Sequence, residues 1–417
     1  MNTHKESQIP TQTTNPTVRI LSLNTWGLKF VSKFRQQRLR EIAQRLEAYG
    51  DQYDIVALQE IWVESDYEII KDLTAEKFRY RKYFYSGILT GPGLLVLSKW
   101  PIDSASVFRY PLNGRPSAFF RGDWYVGKSA ASCVIRHPVR NIEIINTHMH
   151  APYGPGDAAY TCHRTAQAWE LARLAKRASD CGHLVVVVGD MNSVPGSLTH
   201  RLFNLVARLS DSWQDCHGEF KGEIGLLSPE DQIIQAGTTC DSQLNTWRAQ
   251  RRIDEACRLD YIFYDSSFAR VSDARVSFID PIPGIGSVSD HFAAETDLIV
   301  NEQAVRKPPV DSDDLRLLYT DILDLIDDYK HTSIMQAKLR NYHFIASVIV
   351  LIGLLIAVFW GAAHNRAWVG FLFMLAAIVV AVTGLLDGLM GFLFGRCEMR
   401  GLREFESEVE LARHVLE

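Results

Sequence analysis

The stretch "HLVVVVGDMNS", His183–Ser193, decides the fold class. Leu184–Val188 is an unbroken apolar run dominated by valine, too short for an ordinary helix and suited to a strand covered on both faces. Gly189 ends it, and Asp190 and Asn192 follow at once. The pattern recurs along the chain. "VRILSLNT" reaches Asn24, "YDIVALQE" ends on Gln59 and Glu60, and "NIEIINTHMH" presents His148 and His150. "LDYIFY" carries Asp260 at its start, and "SVSDHF" offers Asp290 and His291. "GLLVLSK" and "ASCVIR" read as further strands, while Phe34–Tyr49 and Arg164–Ser179 have helical spacing. Strands with interspersed helices over Thr17–Ile299 predict an α/β layered sandwich.

Singly, Asp or Asn at a strand end is a turn former and a lone His a satisfied polar residue. Together, carboxylates, amides and imidazoles delivered by rigid strands suit a hard divalent cation and a phosphate.

A competing signal lies in "RGDWYVGKSA", Arg121–Ala130, where Gly122 and Gly127-Lys128-Ser129 match the nucleotide-binding P-loop pattern. That motif needs a buried strand before it and a helix after it. Here "RYPLNGRPSAFF" precedes it, broken by Pro111, Gly114 and Pro116, and a β-branched run follows. The flanks predict no nucleotide site.

The formal net charge of the 417 residues is -5, without the basic excess of a nucleic-acid binder. Seven scattered cysteines with no C-x-x-C pair suggest neither a disulfide framework nor a zinc site, and fit a reducing compartment. Residues 1–16 are polar and read as a disordered lead-in without a signal peptide.

Two uncharged stretches, Phe344–Ala363 and Ala367–Leu386, are each long enough to cross a bilayer. Only His364–Arg366 joins them, so a helical hairpin is expected. Lys330, Lys338 and Arg340 precede it and Arg396, Arg400 and Arg403 follow it, against Arg366 in the loop. The positive-inside bias puts both flanks in the cytosol. Asp387 is either an interfacial or an intramembrane carboxylate. Gly384, Gly388, Gly391 and Gly395 have the spacing of helix-packing glycines, which makes a homodimer conceivable. The expected organisation is a catalytic domain over 17–300, an amphipathic helical linker over 301–342, two transmembrane helices over 343–396 and a cytosolic tail over 397–417.

The ordered set Asn24, Gln59-Glu60, Thr147-His148, "GDMN", "RLDYIF" and "SDH" resembles the endonuclease/exonuclease/phosphatase superfamily. "SGILTGPGLLVLSKWPI", "RGDWYVGKS" and the C-terminal hairpin narrow the resemblance to neutral sphingomyelinases and inositol phosphosphingolipid phospholipases C. Gly91-Pro92-Gly93 stands where that group usually has Gly-Ser-Gly. The resemblance implies a four-layer deoxyribonuclease-like sandwich with two central mixed β-sheets. It implies a Mg²⁺-dependent phospholipase C acting on phosphosphingolipids at a membrane, without nucleic acid or nucleotide as partner. The endoplasmic reticulum is the expected location.

His291 is the expected general base, since an imidazole titrates near working pH. The resemblance gives Asp260 as the acceptor of its other ring N–H and Glu60 as the principal Mg²⁺ ligand, with Asn24 and Asp290 nearby. It gives Asp190 and Asn192 the positioning of water or a phosphoryl oxygen, and His148 a hydrogen bond to the developing oxyanion. Strand alternation sets His150 on the His148 face, either lining the pocket or simply hydrogen-bonded. Asp123 and Lys128, beside Trp124-Tyr125, are expected on an irregular loop meeting a headgroup or anionic lipid. A nuclease, an inositol-polyphosphate phosphatase and a catalytically silent membrane scaffold are the alternatives.

Overall fold

The structure, a computed structural model, describes residues 17–417 apart from the side chains of Phe119 and Ala367; the expected disordered lead-in, 1–16, lies outside the described residues. One six-stranded sheet holds β1 (Thr17–Asn24), β2 (Ile55–Gln59), β3 (Tyr80–Tyr83), β4 (Leu95–Ser98), β11 (Ala269–Ser277) and β12 (Ala293–Val300) in the order β11-β12-β1-β2-β4-β3. The other holds β5 (Ile102–Arg109), β6 (Ser129–Ile135), β7 (Ile142–His148), β8 (Leu184–Asp190), β9 (Ser210–Asp211) and β10 (Asp260–Tyr264) in the order β5-β6-β7-β8-β10-β9. β1 runs parallel to β2 and β7 parallel to β8, so both sheets are mixed.

Alternation along each strand divides the apolar residues between layers. Val186 and Val188 of β8 face the other sheet and meet Ile20, Ile55 and Ala57, while Val185 and Val187 turn outward. Leu21, Leu23, Val56 and Leu58 pack under the apolar face of helix α1 (Arg35–Ala48), formed by Leu39, Ile42, Ala43 and Leu46. On the opposite outside lies α2 (Thr161–Asp180), whose Ala168, Leu171, Ala172 and Ala175 sit close on Val185 and Val187. The result is the expected α/β/β/α stack. Its valine-rich strand needs no polar face because both faces are covered.

Gly189 is required by contact. Its φ is +132°, and a Cβ there would lie 1.9 Å from the Thr147 carbonyl oxygen of the neighbouring strand. Only glycine lets β7 and β8 remain together to their C-terminal ends.

The amphipathic linker expected over 301–342 is helical from Ser312, and α3 (Ser312–Ala363) runs 52 residues without a break from the catalytic domain into the first apolar span. Its Leu318, Tyr319, Ile322 and Ile326 are buried in the same cluster as α2. After α4 (Ala367–Gly388) and a π-helical turn at Leu389–Phe394, α5 (Gly395–His414) folds back onto α2 and α3. The tail is therefore a docked helix, with Leu402, Phe405 and Val409 buried. Each such side chain contributes about 1.5–3 kcal/mol. Polar ties add specificity: Glu398 accepts from Tyr329 Oη (2.6 Å) and Ser333 Oγ (3.0 Å) and lies 3.1 Å from His163 Nε2, while Trp169 Nε1 donates to Glu408 (2.8 Å).

α3 and α4 contain helical stretches long and apolar enough to cross a membrane. The glycine stripe that suggested dimerisation is used inside the chain. Cβ atoms at Gly384, Gly388 and Gly391 would lie 2.4, 2.7 and 2.1 Å from Ser347, Phe344 and Asn341 of α3. Asp387 pairs across the hairpin base with Arg340 (2.6 Å) and His343 (2.8 Å), which suits an interfacial position.

Candidate active site

Strand register gathers the polar residues. Asn24 pairs with Gln59 at the ends of β1 and β2, His148 with Asp190 at the ends of β7 and β8, and Asp190 with Asp260 at the start of antiparallel β10. Two sheets thus deliver their polar termini to one edge. Three neighbouring residues, Trp26, Glu60 and Asn192, hold positive φ values of 51°, 62° and 48°. Such left-handed conformations in non-glycine residues are strained and occur where a side chain must be aimed.

His291 and Asp260 form the hydrogen-bonded pair expected of a base and its orienter: Nδ1 lies 2.8 Å from Asp260 Oδ2. This contact leaves Nε2 facing Asp190 Oδ2 at 3.9 Å and Cys240 Sγ at 3.6 Å. Burial opposes a charge on His291, but Cys240, Asp260 and Asp190 together hold its pKa well above the ordinary histidine value. His148 Nε2 lies 3.5 Å from Asp190 Oδ2, and its Nδ1 lacks a hydrogen-bond partner among the described residues. Burial, followed by Lys128, His291 and His150, keeps that ring neutral.

Asn24 joins the two halves by donating from Nδ2 to Glu60 (3.2 Å) and Asp190 (3.0 Å). Asp190 Oδ1 accepts the Asn192 backbone N–H at 2.8 Å, and Asn192 Nδ2 donates to the Met149 carbonyl at 3.0 Å. Asp290 receives Arg248 Nη2 at 2.6 Å. Arg248 and Cys240 are participants that sequence reasoning missed, since neither lies in a patterned stretch.

The carboxylates fit a divalent cation. Burial raises the pKa of Glu60, with Asp290 adding to the effect, and burial also raises that of Asp190. Oxygen donors whose negative charge is under-compensated in a dry site are what a hard metal ion satisfies. Asp190, Asp260 and His291 moreover place ligand atoms within 4.8 Å of one another, and Asp260 Oδ1 has no hydrogen-bond partner among the described residues.

The P-loop-like stretch is not a phosphate cradle. Gly122 and Gly127, at φ +82° and +71°, bracket one helical turn, Asp123–Val126, and Lys128 leads directly into β6. Nor does it present Asp123 and Lys128 as solvent-facing loop charges. They are 5% and 2% exposed and pair with each other at 3.1 Å. Lys128 Nζ also reaches the Met149 carbonyl (3.3 Å) and lies 5.8 Å from the Trp62 ring centroid; Trp62 Nε1 in turn donates to Glu60 (3.3 Å). The pair therefore belongs to the wall of the site.

The strand-parity argument for His150 fails because β7 ends at His148. Its ring stacks on Tyr160 (4.0 Å, 17°), and Nδ1 meets the Ala151 carbonyl at 2.8 Å and Asp123 at 3.8 Å. Burial pushes the His150 pKa down to about 3. Between that value and about 6.5 the unfolded chain binds the proton that the folded chain refuses, so stability falls as pH drops through this window. The expected slope is up to about 1.4 kcal/mol per pH unit for His150, with His148 acting in the same sense. Unfolding midpoints in detergent at pH 7 and 4.5 check it: His150→Phe should flatten the dependence, and an unchanged slope would remove His150 as its source.

The comparisons with known proteins give the family. The model of the "Endonuclease/Exonuclease/phosphatase family" matches residues 21–291. An "Inositol phosphosphingolipids phospholipase C" of Saccharomyces cerevisiae is 44% identical over 434 residues, spanning 96% of this chain and 91% of that protein. The chain belongs to this family. Within it, the chain falls in the group of inositol phosphosphingolipid phospholipases C and neutral sphingomyelinases, and it is a phosphoester hydrolase by family. "Sphingomyelin phosphodiesterase 2" of Homo sapiens is 30% identical over 70% of this chain and 67% of its own length. The crystal structure of "Sphingomyelinase C from Streptomyces griseocarneus" superposes with a TM-score of 0.50 at 18% identity, covering 68% of this chain and 99% of that one, which shows the shared fold. Enzymes of this family are metal-dependent, in keeping with the carboxylate cluster.

Proposed function

We propose that the chain is a membrane-anchored, Mg²⁺-dependent phospholipase C that cleaves phosphosphingolipids into ceramide and a phosphorylated headgroup. The observation that carries the reading is the buried His291–Asp260 pair facing Asp190 across a site that also holds Glu60. The inositol-phosphate headgroup is favoured, because the relative named for it matches at 44% over nearly the whole chain, against 30% over a shorter span for the sphingomyelin phosphodiesterase.

In this mechanism His291 acts as the neutral base: the pKa that the uncompensated carboxylates raise would fall once a bound cation offset their charge. Nε2 then takes a proton from water as the water oxygen bonds to phosphorus and the P–O bond to ceramide breaks, the ceramide oxygen leaving as a hydroxyl once it is protonated. Asp260 holds the tautomer, and Asp190 stabilises the imidazolium that forms. Neutral His148 donates a hydrogen bond to a phosphoryl oxygen, and Asn192 and Lys128 orient that group. Glu60 would hold Mg²⁺, with Asn24 and Asp290 beside it; when bound, the ion polarises the phosphate and stabilises the departing alkoxide. The excess of Lys and Arg at the flanks of the hairpin favours a cytosolic catalytic domain, with the endoplasmic reticulum as the proposed membrane.

The test is mass spectrometry of the water-soluble product from detergent-mixed sphingolipids, with and without Mg²⁺. Inositol phosphate should appear at least about tenfold faster than phosphocholine and only with Mg²⁺. Release of inorganic phosphate, or no release from either lipid, would overturn the proposal.

A further inference from the structure

The turn Asp123–Val126 has two faces. Asp123 and the following Lys128 belong to the site wall, whereas the Trp124 ring stands edge-on to Phe394 with centroids 5.3 Å apart. Phe394 closes the π-helical turn just after the second apolar span, close in sequence to the Asp387–Arg340–His343 cluster at the hairpin base. The turn thus touches the hairpin at its boundary with the catalytic domain.

Against this turn lies the loop Ser86–Thr90. Leu89 donates its backbone N–H to the Tyr125 carbonyl (3.0 Å), and a Cβ on Gly87 would lie 2.8 Å from the Val126 carbonyl. Arg109 holds the loop's other side through Ser86 Oγ (2.8 Å) and the Gly87 carbonyl (3.3 Å). Although fixed at both ends, the loop leaves Ile88 50% and Leu89 75% exposed, with Tyr85 at 59% beside them. Consecutive exposed aliphatics flanked by Tyr and Arg have the composition of a segment lying at a membrane interface, where apolar tips enter the acyl boundary and polar partners stay at the headgroups.

We propose that Ser86–Thr90 is a membrane-docking loop: Ile88 and Leu89 insert into the leaflet that anchors the hairpin, holding the mouth of the active site on the lipid surface. The occupant is a bilayer because the loop is continuous, through Tyr125, Trp124 and Phe394, with the end of a candidate membrane span. The inference rests on the membrane reading above and adds the route by which the site meets lipid.

The experiment uses the full chain in phosphatidylcholine vesicles containing long-chain phosphosphingolipid, beside a short-chain analogue that is monomeric in water. The Ile88→Asp/Leu89→Asp variant should lose at least about tenfold in vesicle turnover while keeping turnover of the monomeric analogue within about twofold. Leu89→Phe should retain the vesicle rate. An equal loss on both substrates, or none on either, would overturn docking. An environment-sensitive fluorescent amino acid at position 89 provides a readout independent of catalysis. Quenching by lipids spin-labelled near the headgroup supports docking, and its absence overturns it. If the wild-type chain cleaves neither substrate, the functional reading fails, while the quenching result still decides the loop.

Discussion

Replacing His291 with alanine is expected to lower kcat by about 10³-fold or more, a barrier increase of roughly 4 kcal/mol, with little change in KM. The effect should fall on kcat because Nε2 is assigned a proton that moves only during reaction. The ring is nearly enclosed, so the variant's unfolding midpoint must be measured alongside. Asp260→Asn supplies the discriminating partner. It preserves size but replaces the carboxylate 2.8 Å from Nδ1 with a neutral amide whose NH₂ can impose the wrong tautomer, and should also cost orders of magnitude while leaving the fold intact. The double variant should be little worse than either single one, since the two residues act as a unit. Near-wild-type turnover in His291→Ala would refute its role as base.

Replacing Glu60 with glutamine is expected to weaken metal binding by about 100-fold or more and to reduce turnover at fixed Mg²⁺ in parallel. Glutamine nearly matches the shape, and its one carbonyl oxygen can still accept from either Asn24 or Trp62, though its amide nitrogen cannot accept from the other. What it lacks is the charge. Mn²⁺ binding followed by magnetic resonance gives a readout free of catalysis: wild type should bind tightly and Glu60→Gln weakly. Unaltered Mn²⁺ affinity would move the metal toward the cluster of Asp190, Asp260 and His291. Removing divalent ions from wild type with chelator should abolish turnover and leave the helices docked, because Glu398, Glu408 and the buried apolar face of α5 lie among protein partners.

The strands legible in the sequence are those with both faces covered. Apolar runs mark β1, β2, β4, β6, β7, β8 and β10, and their polar ends mark the site. β3, β5, β9 and β11 form the sheet edges, and β5 in particular exposes Asp103, Ser104, Ala105 and Ser106. Edge strands admit polar residues and so lose the pattern that reveals them. β12 was hidden differently: Glu295 lies buried within it, accepting from Tyr53 at 2.6 Å and pairing with Arg275 at 2.7 Å. A charge in the middle of a short run looks like a loop until its partners, far away in sequence, are known. The same separation explains Arg248 beside Asp290 and Cys240 beside His291. The docking of the tail was hidden because the amphipathic face of α5 can be read in its sequence, whereas the groove that receives it is made by two other helices.

The unbroken α3 has a kinetic corollary. Its 52 residues, at about 1.5 Å each, make a rod of roughly 78 Å, of which one end is held by the catalytic domain and the other is the first apolar span. With that span in a bilayer, no hinge in the helix allows the domain to swing away and search the bulk solution. Encounter becomes a two-dimensional process: the rate should follow the mole fraction of substrate in the host leaflet and remain insensitive to vesicles added in trans. Ceramide, retained in that same leaflet, would dilute only by lateral diffusion, so local product accumulation would be governed by the fluidity of the membrane.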